Sequence, residues 1–199
     1  MKLIGLAGGA GAGKNTAAAA MDDALPLSVA TFAIAAPLYQ ALGGLMGIGP
    51  LDDDLSFLCQ DREFKAAPNR QLGGLSPRHA LQQFGDWVRE TLGQDYLLSR
   101  LTEELRHVED LGTARLAIIT DVRTEAECAW IRQHGGLVVH VHRSGANAET
   151  GGHHTEQPLT YHQGDGHLLN EGTVEELQER AGLLAKAWMA WTHTEERAS

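Results

Sequence analysis

The stretch Leu3-Ile4-Gly5-Leu6-Ala7, running on into Gly8-Gly9-Ala10-Gly11-Ala12-Gly13-Lys14-Asn15-Thr16, decides the fold. Its first part is a short apolar run, the pattern of a strand buried on both faces. In residues 8–13 four of six positions are glycine, so the backbone can turn sharply and approach a ligand, aiming successive N–H groups at phosphate oxygens. Lys14 adds a point charge beside them. The Ala-rich residues 16–21 predict a helix whose N-terminal dipole faces the same anion. Together they imply a cradle for the phosphates of a nucleoside triphosphate, with Gly8, Gly9, Ala10, Gly11, Ala12, Gly13, Lys14, Asn15 and Thr16 as its binding residues.

Outward from this loop, strands alternate with helices, which predicts an α/β fold: a three-layer sandwich, a parallel sheet of about five strands covered by helices on both faces. Residues 27–33 read as a second strand and 36–42 as a helix with Pro37 in its first turn. Residues 43–75, with the acidic run Asp52-Asp53-Asp54, read as a long irregular insertion carrying one short helix near 55–63. Ser76-Pro77 opens a helix with an apolar stripe of Ala80, Leu81, Phe84, Trp87 and Val88, stopped at Gly93. A helix over 94–107, a strand over 116–120, a helix over 124–134 stopped by Gly135-Gly136, and a strand over 137–142 follow. Residues 144–152 read as a mobile loop, and Thr173 with Glu176 forms a capping box for a last helix over 174–191.

The 199 residues suit one domain, 1–199. No basic leader, and no apolar run of membrane-spanning length, is present; two cysteines, Cys59 and Cys128, without metal-type spacing suit a reducing compartment, so a cytoplasmic protein with no membrane partner is expected. A formal net charge of −10 disfavours nucleic acid and favours a small nucleotide as substrate. His134, His140, His142, His153 and His154 have no Cys or carboxylate at ligand spacing, so a histidine metal site is not expected.

Asp121 follows an apolar strand, at the sheet edge where open α/β folds bind ligands, and is the carboxylate placed to organise magnesium. Arg123 would share that mouth and stabilise charge in transfer. Arg89 and Arg78 are candidates for a second phosphate. Arg143, His153, Thr155 and Glu156, within 143–158, would form a lid that excludes water from the nucleotide.

Several segments together resemble the phage-type deoxynucleoside monophosphate kinases. They are residues 8–16, where the ending Gly-Lys-Asn-Thr sets the hydroxyl one place later than in the commonest loops; Phe32-Ala33 through Pro37-Leu38 to Ala41-Leu42; Leu81-Gln82-Gln83-Phe84-Gly85 to Arg89; Thr120-Asp121-Val122-Arg123 with Glu127; Gly135-Gly136 into His140-Val141-His142-Arg143; His153 with Thr155-Glu156; and Asn170-Glu171-Gly172. The resemblance implies a P-loop kinase fold of the nucleoside monophosphate kinase type. It implies ATP and Mg2+, with Thr16 and Asp121 on the metal side, through water. It also implies transfer to a dNMP; on the reading of the residues Lys14, Asp121, Arg123 and Arg89 form the catalytic set, and a homodimer is allowed. Members commonly carry Asp at the position of Asn15 and before Pro37, where this chain has Ala36. Those differences bear on the acceptor and bring in a second reading, a kinase of 5-hydroxymethyluracil in phage DNA, with Asp86 or Asp121 assisting the alcohol and a patch of Arg62, Lys65, Arg70 and Arg78 meeting DNA. A nucleotide-binding regulator without transfer activity is a third, which has no need of both Lys14 and Asp121.

Overall fold

The structure, a computed structural model, describes residues 1–49, 61–145 and 159–196. In chain order the elements are β1 (Lys2–Ala7), α1 (Lys14–Ala24), β2 (Val29–Phe32), α2 (Ala36–Leu45), α3 (Arg62–Ala66), a 3-10 turn (Arg70–Leu72), α4 (Pro77–Leu92), α5 (Tyr96–Asp110), β3 (Leu116–Val122), α6 (Glu125–Gln133), β4 (Leu137–His142), β5 (Gly166–Leu169) and α7 (Val174–Glu196). They fall into two compact units: Met1–Ala33 with Glu103–Ser199, and Ile34–Thr102.

The first unit is built on one parallel sheet in the order β2-β3-β1-β4-β5. β1 is central because its neighbours bury it: from Leu3 to Ala7 every residue is buried, and β3 and β4 are nearly as apolar. On one face Ile4, Leu6, Ile118, Val139 and Val141 pack against Ala17 and Met21 of α1 and Leu177, Ala181 and Ala185 of α7. Each fully buried Ile or Leu contributes about 2 kcal/mol, and the small alanines let the two helices approach closely. On the other face Ile131 of α6 lies against Gly5, where a Cβ would stand 2.2 Å from its Cδ1.

The second unit has its own small core. Leu42 and Met46 pack with Tyr39, Ile48, Phe64, Leu72, Ala80 and Leu81, and the Gln71 side-chain amide donates to the Met46 carbonyl at 2.7 Å. The described part of 43–75 is therefore tied onto α4 rather than loose. Trp87, expected in the apolar stripe of α4, is 50% exposed and stacks on Phe84 with ring centroids 5.8 Å apart.

Two boundaries and one strand differ from the sequence expectation. β3 runs on to Val122, so Asp121 lies inside the strand rather than after it. β2 is trimmed to four residues. β5 was not anticipated, since only Leu168 in it is buried and an edge strand so short carries almost no periodic signal. Among the described residues no helix is long and apolar enough to cross a membrane.

Candidate active site

In a parallel sheet all carboxyl ends share one edge, and ligands bind where the strand order reverses. Here that is the end of β1, where Ala7 pairs with Val122 on one side and His140 on the other. The glycine loop leaves from this point, flanked by the ends of β3 and β4. Two of its glycines are required by close approach. Gly8 has φ +141°, and a Cβ there would stand 2.2 Å from the Val141 carbonyl oxygen; Gly13 has φ +105°, and a Cβ there would meet Asn170 Nδ2 at 2.6 Å and Leu177 Cδ2 at 2.8 Å.

The carbonyls of the loop are tied back. The Ala12 N–H donates to Gly9 O at 3.2 Å, Lys14 Nζ donates to Gly8 O at 2.6 Å and Gly9 O at 2.9 Å, and the Asn170 side-chain amide donates to Ala12 O at 2.8 Å. Helix α1 begins at Lys14, its N-cap Gly13 has no side chain to cap the first turn, and no acidic residue stands there. The first-turn N–H groups, the helix dipole and the ammonium therefore favour an anion at one place. Asn15 is exposed and Thr16 half-buried in that turn.

Beside the loop, the end of β3 is fixed by a buried carboxylate. Glu127, 6% exposed, accepts the Arg123 N–H at 2.6 Å and the Thr124 N–H at 3.0 Å, while its own N–H donates to Thr124 Oγ1 at 3.2 Å. This capping box at the start of α6 holds the backbone that carries half-buried Asp121 and exposed Arg123. Hydroxyl and carboxylate oxygens such as those of Thr16 and Asp121 are the hard donors that suit magnesium, which takes one or two protein oxygens and fills its shell with phosphates and water. β3 pairs directly with β1, so Asp121 and the glycine loop lie at the same end of the sheet.

On the β4 side, exposed Arg143 follows the strand. Glu171 accepts from Ser144 N at 2.8 Å and Ser144 Oγ at 2.9 Å, bonds that hold its carboxyl below the usual range, and His142 Nε2 lies 4.0 Å away. His140 is committed to a structural tie: its Nε2 is 3.0 Å from Asp165 Oδ2, and Asp165 also accepts Arg132 Nε at 2.9 Å, Arg132 Nη2 at 2.7 Å and the His162 N–H at 2.9 Å. Burial pushes the Asp165 carboxyl up, but the Arg132 fork and the other donors outweigh it and bring it down to about 2. No group of three or more His, Cys, Asp or Glu among the described residues is arranged to hold a metal ion. Burial pushes the Cys128 thiol up to about 12, so it is no nucleophile.

Arg89 belongs to the second unit. Its side chain is 17% exposed, with Nη1 3.7 Å from Asp86 Oδ1 and lying over Gly85, where a Cβ would come within 3.2 Å of it. Arg78 stands on the same face of α4 three turns away, about 16 Å along the axis. Residues 146–158 of the expected lid, with His153, Thr155 and Glu156, lie outside the described residues, as do Asp52, Asp53, Asp54, Cys59 and the side chain of Arg62. The sequence singles out Glu127 and Asn170 only as part of the family resemblance, without a role, and does not single out Asp165. The first was open to detection, since Thr124-x-x-Glu127 is the same capping signature noted at Thr173-x-x-Glu176.

The chain matches the family described as "Deoxynucleotide monophosphate kinase" over residues 53–181, a span that excludes the glycine loop and is therefore independent of it. A protein of Acanthamoeba polyphaga mimivirus, provisionally named as a deoxynucleotide monophosphate kinase, is 31% identical over 188 residues, covering 88% of this chain and 92% of its own. Among solved structures, an unliganded sugar kinase from a Janibacter species aligns over 91% of this chain and 92% of its own at 14% identity and a TM-score of 0.39, too low to bear on the fold. On the family match and the viral relative, the chain belongs to the deoxynucleotide monophosphate kinase family.

Proposed function

We propose that this protein is an ATP-dependent kinase that phosphorylates a deoxynucleoside monophosphate, giving dNDP and ADP. The observation that carries the reading is the glycine loop at the carboxyl end of the central strand, with Lys14 folded across it, Asp121 inside the adjoining strand and Arg123 directly after that strand. Residues 8–16 hold the donor phosphates through backbone N–H groups and the Lys14 ammonium. A phosphate oxygen of the acceptor attacks the γ-phosphorus, the bond from that phosphorus to the bridging oxygen breaks, and ADP leaves with the electron pair. An acceptor phosphate is already anionic and requires no base, so catalysis is positioning and charge stabilisation. Lys14 and Arg123 stabilise the charge that develops. Thr16 and Asp121 would hold magnesium through water, and the ion supplies charge neutralisation on the donor phosphates. Arg89 is assigned from its chemistry to the acceptor phosphate, and Arg143 to the donor nucleotide.

The net charge of −10 favours a small nucleotide over DNA as acceptor. Incubation with γ-labelled ATP and Mg2+ against each dNMP, and in parallel against DNA containing 5-hydroxymethyluracil, tests the choice. Label in one or more dNDPs and none in DNA is expected. Labelled DNA with unlabelled nucleotides would transfer the reading to the base hydroxymethyl group.

A further inference from the structure

We infer that Asn170 is a positioning residue for the donor: it fixes the conformation of the glycine loop from the far side and thereby sets the affinity for ATP. Asn170 follows β5 and is 9% exposed. Its own N–H donates to the His142 carbonyl at 2.7 Å, extending the β4 to β5 pairing and fixing the residue's backbone. From that anchored position its side-chain amide donates to the carbonyl of Ala12, 1% exposed, through a buried bond spanning 158 residues of sequence. The same amide nitrogen and Leu177 of α7 form the wall against which Gly13 fits, leaving no room for a Cβ.

The consequence is geometric. A peptide unit whose carbonyl is held on one side must point the following N–H to the other, so the Ala12 to Gly13 peptide presents the Gly13 N–H away from Asn170. The next residue is Lys14, which starts α1. Asn170 thus governs the last turn of the loop and the direction in which α1 offers its first N–H groups. The neighbouring residue works on the other flank: Glu171 receives Ser144 N and Oγ, so Asn170-Glu171 fastens the glycine loop and the exit of β4 to one short turn. Losing the amide leaves the buried Ala12 carbonyl unsatisfied, a penalty the loop can relieve by rotating that peptide, which spoils the cradle.

The inference rests on the glycine loop being the ATP site. Three variants test it: Asn170→Ala removes the donor, Asn170→Asp keeps the shape but sets oxygen against oxygen, and Asn170→Ser is too short to reach Ala12. Serine, the mildest change, serves if the others fail to fold. The expected result is a KM for ATP raised about tenfold or more, with a parallel loss in ATP affinity by titration calorimetry, while the KM for the dNMP stays within about twofold. A merely structural role would lower the melting temperature and the active fraction and leave the KM for ATP unchanged, which would overturn the inference. Wild-type protein that binds no ATP at all would instead refute the kinase reading on which it stands.

Discussion

The glycine loop is defined by the residues that touch it rather than by glycine content. Gly13→Ala should be more damaging than an ordinary Gly→Ala change, because it combines a φ of +105° with a Cβ 2.6 Å from Asn170 Nδ2. Loss of ATP binding in a variant that still folds is the expected result, read by calorimetry and circular dichroism. Glu127→Ala should lower stability by about 2 kcal/mol, since it removes a capping box and strands the Arg123 N–H beside a buried site. Urea denaturation checks this. Glu127→Gln, which keeps one acceptor oxygen, should recover part of the loss. The turn from β1 into α1 was legible because Gly8 to Thr16 is a local pattern. Its supports were not, since the Asn170 to Ala12 bond joins residues 158 apart and no local spacing encodes it.

Elements cooperate through buried polar ties, and the tie at Asp165 is the clearest. It joins Arg132 at the end of α6, His140 in β4 and the His162 turn ahead of β5, while the Tyr161 hydroxyl donates to the Asp165 carbonyl at 2.7 Å. A carboxyl held at about 2 against an unfolded value near 3.9 contributes stability that is fully present above pH 4 and lost as pH falls towards 2, on the order of 2 kcal/mol. Acid denaturation of the wild type should therefore steepen between about pH 4 and 2, and Asp165→Asn should flatten that dependence. An unchanged profile would mean that Asp165 is not the titrating group. The same tie explains why β5 escaped the sequence reading: this edge strand is held as much by Asp165 and Asn170 at its two ends as by its one buried leucine. Long apolar strands such as β1, β3 and β4 announce themselves, whereas a strand secured by polar partners at its ends does not.

For the molecule as a whole, strand order and charge do the work that motifs cannot. Sequence alternation foretold a parallel sheet with helices on both faces; that β1 would stand at its centre, with the loop between the ends of β3 and β4, is a property of topology. With a net charge of −10, fluorescence anisotropy with duplex DNA at about 0.15 M salt should show no binding at micromolar protein. Tight, salt-dependent binding would favour a DNA acceptor instead. Phosphoryl transfer at the Lys14 loop is checked by following dNDP and ADP production from ATP and dNMP with wild type and Lys14→Ala side by side. One dNDP per ADP is expected for the wild type, with a turnover at least about 100-fold lower in the variant and its fold intact. Equal turnover by the two proteins would contradict transfer at that loop.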